Sequence, residues 1–370
     1  MIPRSMLTSR IRIIEALVWV ACFSFGGALA ALTLGALYFA AESPFVKDSA
    51  NKHGISSQGS SRLGGVVIFS SLLLYLSVSP WVDQELEGLL LKGQERLVVD
   101  YAFLAFVVAL IGLADDLNEG LSPGFRMALL FGVVLFGLSL NVEWVPLQVF
   151  EKGIGFENLP IQVSILAAAF LLIGFVNAGN MVDGANGLLA GISTIWFYFT
   201  YELVGNYYFL ACFLAVAVFT VHNVILGSVI LGDFGSFGLS SLMVLSSFHA
   251  YQVVDVSAWC FASFLFYPCF EICRVILHRL VSRRSPLKAD NLHFHNYLYR
   301  YVMKRGLNNL ASNSVVGLSI AFLSSGIPLL VYALGALGLN DWQGWTTLFV
   351  LQTILFLAIW AICIRDERLL

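Results

Sequence analysis

Charged side chains are scarce in this chain: they make up 12% of its 370 residues, about half the fraction that covers a soluble globular domain. That shortage excludes a single water-soluble globule. Apolar residues account for 59% of the chain, and they recur in stretches long enough to cross the roughly 30 Å hydrocarbon core of a bilayer. The composition therefore predicts an all-α, polytopic integral membrane protein embedded in a lipid bilayer.

Signals of several other protein classes are missing as well. The six cysteines lie in apolar segments without paired CxxC spacing, so they are interpreted as small packing residues. No internal period indicates a solenoid, and no low-complexity linker divides the chain. The basic residues form no aromatic-interleaved groove, which argues against nucleic acid as a partner. We interpret residues 1–370 as a single transmembrane domain.

About eleven membrane spans are predicted from the apolar stretches. The first, from Ile13 to Ala41, is too long for the apolar core of a secretory signal peptide and is interpreted as a spanning helix. The predicted spans are 13–41, 64–80, 98–114, 126–142, 161–178, 187–204, 207–226, 237–253, 256–277, 312–337 and 343–364.

The distribution of basic residues predicts the orientation of these spans. Fourteen of the twenty Lys and Arg residues fall in connections on one side of the membrane, and six fall on the other. The richer side should be cytoplasmic by the positive-inside rule. The three arginines of the N-terminal arm, Arg4, Arg10 and Arg12, favour the opposite orientation, which leaves the side of the N-terminus open.

Four polar clusters lie at the ends of apolar segments, all on the side predicted to be cytoplasmic. They are 114–117, 177–187, 232–236 and 290–295. A dehydrated carboxylate is costly, about 2.5–3.5 kcal/mol at a helix centre on insertion scales. A chain that repeats acidic or amide residues beside glycine at such borders is expected to build a site at the membrane surface, for a metal ion and phosphates.

The segment from Asn177 to Gly187 carries the strongest of these signals. Asn177, Asn180 and Asp183 follow one another at intervals of three residues, which places their side chains on one face of a turn. Hard oxygen ligands of this kind suit Mg²⁺, which takes one or two carboxylates together with substrate phosphate oxygens. The alternative, a turn that caps the next helix, would explain one of these residues and not the set.

The other clusters are less specific when taken alone. Adjacent carboxylates cannot share one helix face, so Asp115 and Asp116 are expected to serve different partners; solvated loop acids are the alternative. Asp233, between glycines at a span end, is a second candidate metal ligand, although an ordinary turn explains it equally well. His293 and His295 lie in a loop, 274–305, that holds eight of the twenty basic residues. This loop is interpreted as phosphate-binding, with an ordinary positive-inside loop as the alternative.

Taken in order, these motifs resemble those of the polyprenyl-phosphate N-acetylhexosamine-1-phosphate transferases of glycosyltransferase family 4. These are integral membrane enzymes that load a sugar phosphate onto a lipid phosphate. The matching segments are Arg62-Leu63-Gly64-Gly65, Asp115-Asp116 with Leu121-Ser122-Pro123 and Arg126, Asn177 to Leu188, Gly232 to Ser236, and Ser285-Pro286 through His295.

The resemblance implies a catalytic domain with a cytoplasmic-facing active site in the bacterial inner membrane. It implies a Mg²⁺-dependent reaction, with Mn²⁺ as an alternative, between a UDP-N-acetyl-amino sugar and undecaprenyl phosphate that releases UMP; a homodimer is a further expectation. The residue roles that it implies are catalytic for Asp115, Asp116 and Asp183, metal-binding for Asn180 and Asp233, and substrate-binding for Arg62, Asn177, Asn186, Asn223, Ser236, His293 and His295.

Departures from the family pattern bear on the branch. Asn296 stands where the family's histidine loop often has a further histidine, and Ser228 stands where a basic residue is common. Leu121-Ser122-Pro123 resembles the branch that initiates O-antigen and other surface polysaccharides, whereas the peptidoglycan branch usually has lysines there. A phospho-N-acetylmuramoyl-pentapeptide transferase is the alternative enzyme. A membrane transporter is disfavoured, because its ionisable residues would lie near the bilayer midplane.

Overall fold

The computed structural model describes residues 27–43, 60–85, 95–117, 121–147, 149–151, 154–156, 159–283 and 292–368. Within these ranges the protein is almost entirely helical, which confirms the all-α prediction. The one sheet among these residues is an antiparallel hairpin, β1 (Val149–Glu151) paired with β2 (Ile154–Phe156), which the sequence did not predict. Residues 13–26 of the first predicted span and 284–291 of the histidine loop lie outside the described residues.

The helices follow the apolar stretches of the sequence in order, with a short 3₁₀ turn (Val142–Trp144) after the fourth. Polar residues begin several of them: Ser122, Asn206, Ser257 and Asn308 each accept a backbone N–H of the following first turn. The helices are α1 (Gly27–Glu42), α2 (Gly64–Glu85), α3 (Glu95–Leu117), α4 (Pro123–Leu140), α5 (Ile161–Val182), α6 (Leu188–Val204), α7 (Tyr207–Leu226), α8 (Gly232–Val253), α9 (Ala258–Phe264), α10 (Phe266–Val281), α11 (Phe294–Met303), α12 (Asn309–Ala321), α13 (Ile327–Ala333) and α14 (Trp342–Arg368).

Five helices of the described chain are long and apolar enough to cross a membrane, and a bent pair would make a sixth. Shorter apolar helices are present at Gly27–Glu42, Gly64–Ser79 and Leu188–Val204. These helices support a multi-pass membrane protein, while the number eleven stays a prediction. The five are Pro123–Leu140, Ile161–Val182, Tyr207–Leu226, Asn309–Ala333 and Trp342–Glu367.

Two predicted spans are interrupted in the structure. The span predicted at 256–277 consists of α9 and α10, which meet at Leu265 with a bend of 79°. The span predicted at 312–337 contains a π-helical segment, Phe322–Gly326, between α12 and α13. The two irregular segments contact each other: Ser324 Oγ accepts the Tyr267 N–H at 3.0 Å, and Ser325 Oγ donates to the Phe264 carbonyl at 2.6 Å. Backbone groups freed by the bend are thereby satisfied inside the protein.

Helix α8 lies at the centre of the bundle. It is buried along nearly its whole length and packs against α2, α3, α5 and α6. Small residues make this packing close, since a Cβ at Gly65 would overlap the backbone of Gly235, and one at Gly112 would overlap the backbone of Asp233. The N-terminal end of α8 is therefore surrounded by the neighbouring helices that carry the other motifs.

Candidate active site

The loop containing Arg62 is held against the segment that leads into α8. Ser61 and Val229 form an isolated parallel bridge, in which the Ser61 N–H donates to the Ser228 carbonyl at 2.9 Å and the Ile230 N–H donates to the Ser61 carbonyl at 2.8 Å. The N–H groups of Gly64 and Gly65 continue the pairing along this segment, each at 3.0 Å. The Arg62 loop is thus joined by backbone hydrogen bonds to the segment that precedes the 232–236 motif.

Asp116 connects these joined segments to the end of α3. Its carboxylate accepts Arg62 Nη1 at 3.1 Å and the backbone N–H of Phe234 at 3.2 Å. Gly232, at φ +70°, is required here, because a Cβ would lie 2.6 Å from the Arg62 carbonyl and 2.9 Å from Asp116 Oδ2. The contacts of Asp116 are therefore with protein groups that shape the site.

The adjacent Asp115 has a different set of partners, as expected for neighbouring carboxylates. Its Oδ1 atom accepts the Leu121 N–H, and its Oδ2 atom accepts Arg126 Nη1 at 2.7 Å. Its carboxyl group is also hydrogen-bonded to that of Asp233. Because a hydrogen bond between two carboxyl groups needs a shared proton, this pair is a place where a cation would relieve repulsion.

Asp233 lies in the first turn of α8, before the apolar segment 237–253 that is predicted to span the membrane. Burial raises its pKa to about 8, and the charge of Asp116 and the contact with Asp115 act in the same direction. At neutral pH Asp233 is therefore mostly protonated, and the carboxylates of Asp115 and Asp116 balance the guanidinium groups of Arg62 and Arg126. A divalent cation bound here would favour the ionised form of Asp233.

The second motif reaches the same place from α5. This helix runs to Val182, four residues beyond the predicted end, so Asn177 and Asn180 lie in its last turns and Asp183 directly follows it. Asn180 Oδ1 accepts Ser236 Oγ at 3.1 Å, and the same hydroxyl lies 3.3 Å from the Asp233 carbonyl. Ser236 therefore connects the Asn180 amide to the turn that carries Asp233.

Asn186 and Asn223 are held among backbone groups. The Asn186 N–H donates to Asn313 Oδ1 at 2.8 Å, and its side chain lies beside Gly227. Asn223 accepts the Gly187 N–H at 2.7 Å through Oδ1 and donates to the Val229 carbonyl at 2.8 Å through Nδ2. The structure thus gives Asn223, predicted to contact substrate, a role in joining the second and third motifs.

The histidine segment completes the arrangement. The rings of His293 and His295 stack at 5.3 Å with an interplanar angle of 6°. His295 is 2% exposed, its Nδ1 lies 3.2 Å from the Tyr267 hydroxyl, and its Nε2 lies against Gly184, beside Asp183. Asp290, the acidic residue of this cluster, lies outside the described residues.

The predicted site residues are therefore joined at one end of the bundle by three direct contacts. Asp116 accepts hydrogen bonds from Arg62 and from the Phe234 N–H. Asn180 accepts one from Ser236, and the His295 ring packs against Gly184. Asn177 lies at the edge of this group, where its Nδ2 donates to the Ile173 carbonyl at 2.8 Å and to Met127 Sδ at 3.4 Å. This agrees with the expectation that the clusters share one side of the membrane.

Two structural participants, Glu271 and Asn313, were missed by the sequence reasoning, and a third was misplaced. Arg274, counted in the predicted loop 274–305, lies in α10, which continues to Val281, and α11 occupies Phe294–Met303 of the same predicted loop. Glu271 lies inside the predicted span 256–277, where charged residues are rare, and that rarity was the available signal. Asn313, which fixes the Asn186 backbone, lies on an apolar helix and gave no comparable signal.

The donor chemistry of the site fits Mg²⁺. The Asn180 amide oxygen and the Ser236 hydroxyl are hard oxygen donors that lie beside the first turn of α8, and that turn also carries the Asp233 carboxylate. Among the described residues, no group of three His, Cys, Asp or Glu side chains is arranged to hold a metal ion. Mg²⁺ needs no such group, because it is commonly bound through one or two carboxylates and substrate phosphates.

Known proteins share these features of sequence. Residues 98–250 match the model of the family described as glycosyl transferase family 4. A Bacillus subtilis protein named probable undecaprenyl-phosphate N-acetylglucosaminyl 1-phosphate transferase is 25% identical over 83% of this chain and 84% of its own length. A Thermotoga maritima protein, named undecaprenyl-phosphate alpha-N-acetylglucosaminyl 1-phosphate transferase, is 27% identical over 78% of this chain and 82% of its own.

A third relative has a different name. The phospho-N-acetylmuramoyl-pentapeptide-transferase of a Wolbachia species is 28% identical over 54% of this chain and 63% of its own length. The shared family model, the relatives and the helical membrane fold define a membrane-bound phosphoglycosyl transferase. The chain is thus similar to glycosyl transferase family 4 over residues 98–250, and most of its length is similar to proteins named as undecaprenyl-phosphate N-acetylglucosaminyl 1-phosphate transferases.

Proposed function

We propose that this protein transfers an N-acetyl-amino-sugar 1-phosphate from a UDP-sugar to undecaprenyl phosphate. A phosphate oxygen of the lipid attacks the β-phosphorus of the UDP-sugar and forms a new P–O bond. The bond from that phosphorus to the oxygen bridging to the α-phosphorus breaks, and UMP leaves. The products are UMP and undecaprenyl-diphospho-sugar, and UDP-GlcNAc or a related UDP-HexNAc is the proposed donor.

The observation that carries this proposal is the convergence of three acidic or amide motifs and one histidine motif at a single end of the bundle. The reaction brings together a diphosphate and a lipid phosphate monoester, whose second pKa is near 6, so negative charge must be neutralised before attack. Positioning and electrostatic stabilisation supply most of the acceleration in phosphoryl transfer. A site with hard oxygen donors and cationic side chains meets this requirement.

The site residues are assigned complementary tasks. Asn180 and Asp233 would hold Mg²⁺, for which Mn²⁺ is the alternative; when bound, such an ion would supply neutralisation of phosphate charge and Lewis-acid polarisation of a phosphoryl oxygen. Arg62, His293 and His295 contact the phosphates and the sugar, and Asp183 and Asn186 lie beside the nucleotide. Asp116 orients Arg62, and Asp115 orients Arg126.

The proposed place of the enzyme is the bacterial inner membrane, with the site on the cytoplasmic face. Two exposed positions at opposite ends of one irregular span test this orientation: Leu307, before α12, and Leu334, after α13. In a variant without other reactive cysteines, a cysteine at 334 should react with an impermeant thiol reagent in intact cells, and one at 307 only after lysis. The reverse pattern would contradict the orientation.

The branch that initiates O-antigen or another surface polysaccharide is favoured by the Leu121-Ser122-Pro123 segment and by the relatives named for N-acetylglucosamine transfer. In this branch the reaction is the first membrane step of polysaccharide synthesis. Transfer of phospho-N-acetylmuramoyl-pentapeptide is the second candidate, because relatives with that name also match.

One assay separates the two candidates. Purified protein is incubated with undecaprenyl phosphate, Mg²⁺ and either a UDP-N-acetylhexosamine or UDP-N-acetylmuramoyl-pentapeptide, and the release of UMP is measured. We expect release with a UDP-N-acetylhexosamine, dependence on the lipid acceptor, loss on chelation of the metal, and no release by Asp233→Ala. Release only with the pentapeptide donor would favour the second candidate, and release without any lipid would indicate a covalent intermediate.

A further inference from the structure

A buried pair of opposite charges lies inside the apolar helix next to the histidine segment. Glu271 and Arg274 are on α10, and their residues are 0% and 8% exposed. Ionisable side chains within a membrane-spanning segment are costly and usually have a functional reason. The sequence motifs of the site do not include Glu271, and Arg274 was counted in the predicted loop 274–305, whereas it lies within α10.

The carboxylate of Glu271 accepts four hydrogen bonds. Arg274 donates two of them in a forked geometry, from Nε at 2.8 Å and from Nη2 at 2.6 Å. The other two come from the histidine segment: His293 Nδ1 and the Phe294 N–H each lie 3.1 Å from Glu271 Oε1. The carboxylate is therefore bonded both to its own helix and to the start of α11.

These bonds hold His293 from both sides along the chain. The Leu292 carbonyl accepts Arg274 Nη2 at 2.7 Å, and the Phe294 N–H donates to Glu271, so the backbone is fixed before and after His293. A carboxylate can only accept, so Nδ1 of His293 must carry the hydrogen of this bond. The tautomer and the ring plane of His293 are thereby set by Glu271.

The position of the His293 ring affects that of His295, because the two rings are in contact. The two rings stack in parallel, and Nε2 of His295 lies against Gly184, next to Asp183. With each Nδ1 engaged, by Glu271 and by Tyr267, Nε2 is the remaining polar atom of each ring. A shift of the carboxylate would consequently move both imidazoles relative to the Asp183 turn.

We propose that Glu271, paired with Arg274, is a positioning residue that presents the two histidines to the phosphates of the substrate. The role rests on the proposed transferase function, and it deepens that function by adding a residue that contacts no substrate. Glu271 acts through His293, so replacing Glu271 should lower kcat only in a protein that still has His293.

The chain offers a matched control on the same short helix. Arg300 of α11 is paired with Glu367 of α14, an ion pair whose side chains are 41% and 30% exposed. Glu367→Gln makes the same carboxylate-to-amide change and acts on the same helix, away from the histidines. Because exposed pairs contribute little, this variant should keep its turnover within about twofold of wild type.

The kinetic test compares Glu271→Gln, His293→Asn and the double variant, using UMP release at saturating substrates. We expect Glu271→Gln to lower kcat on the order of 10²-fold with a smaller change in KM, since misplacement of a catalytic group by about 1 Å has that effect. In the His293→Asn background the same change should cost less than about threefold, because coupled residues are not additive. The proposal would be overturned if Glu271→Gln kept the wild-type kcat. It would also be overturned if the loss of kcat in the double variant equalled the product of the losses in the two single variants.

A second measurement needs no activity. Hydrogen–deuterium exchange of the peptide containing residues 292–299 should become faster in Glu271→Gln and stay unchanged in Glu367→Gln, with α5 as the internal reference. Where Glu271→Gln fails to fold, Glu271→Asp replaces it, because it keeps the charge opposite Arg274 and withdraws the carboxylate from the loop. Unchanged exchange in the folded variant would contradict the proposal that Glu271 holds the histidine segment in place. Absence of UMP release by the wild type contradicts the transferase function instead.

Discussion

Nε2 of His295 lies against Gly184, so close that a Cβ at position 184 would overlap the ring. The His295 side chain, from the first turn of α11, therefore packs directly against the backbone of the turn after α5. This contact brings the histidine motif to Asp183, although the two segments are far apart in the sequence. The absence of a side chain at position 184 is thus part of the site.

Gly184→Ala should lower UMP release by at least about tenfold, because the added methyl group displaces the His295 ring from its position beside Asp183. The matched control is Gly174→Ala on the preceding helix, where a Cβ would meet nothing within 4 Å. That variant should keep its activity and gain about 0.5–1 kcal/mol of stability, since Ala favours a helix interior over Gly. Equal activity in the two variants would contradict the proposed contact.

Asp115→Asn should lose activity by a similar factor at pH 6.5 and at pH 9. Both oxygens of Asp115 are bonded, to Leu121 and Arg126, which indicates an orienting role rather than proton removal. A phosphate monoester is already largely dianionic at pH 9, so a proton acceptor would become dispensable there. Recovery of the variant at pH 9, measured as kcat/KM across this range, would assign Asp115 to proton removal.

Ser236→Ala should raise the Mg²⁺ concentration needed for half-maximal UMP release by about tenfold, because Ser236 joins Asn180 to the Asp233 turn. Ser241→Ala is the control. It lies on the same helix, is equally buried, and its hydroxyl donates to the Phe237 carbonyl one turn earlier. A Mg²⁺ titration of both variants measures the difference, and an unchanged requirement in Ser236→Ala would remove Asn180 from the metal site.

Gln352→Leu should destabilise the protein by about 1–2 kcal/mol, the upper part of the range for hydrogen bonds inside a membrane. The two hydrogens of its Nε2 are shared among the carbonyls of Ser263, Leu323 and Ser324, which lie at or beside the two irregular segments. Gln343→Leu, at an exposed position near the start of the same helix, is the control. The midpoint of thermal unfolding in detergent should fall for the first variant alone, and equal midpoints would show that the bend does not depend on Gln352.

Much of the secondary structure follows from the sequence, because a helix in lipid must be apolar and satisfies its own backbone hydrogen bonds. The span predicted at 126–142 corresponds to α4, which begins slightly earlier, at Pro123, and has Ser122 as its N-cap. The continuation of α5 to Val182 was missed, because Asn177 and Asn180 have weak helix propensity and are retained in the helix by tertiary contacts. The bend at Leu265 was also missed, although Pro268 in the first turn of α10 lacks the N–H that would bond the Phe264 carbonyl four residues earlier.

The candidate site was identified from residue types and spacing, but the division of labour within it was not. Asn223 was assigned to substrate, which stays a prediction, and the structure adds that its amide joins two backbone segments at 2.7 and 2.8 Å. Adjacent carboxylates were expected to differ in their partners, and the structure specifies those partners as Arg62 for Asp116 and Arg126 for Asp115. Which long-range partner a buried polar group finds depends on helix packing, and periodicity alone carries no information on that choice.

The amino-acid sequence by itself determined that this chain forms apolar helices with oxygen-rich ends, because a charged side chain within the membrane is energetically costly. Its motifs indicated a phosphoglycosyl transferase. The tertiary structure decided which of those ends meet. The close packing at glycines around α8 brought Asp116 and Asn180 to the turn that carries Asp233. Helix α10, after the bend at Leu265, brought Glu271 within hydrogen-bond distance of His293. Contacts of this kind arise between segments distant in the chain, so only the packed bundle could reveal them.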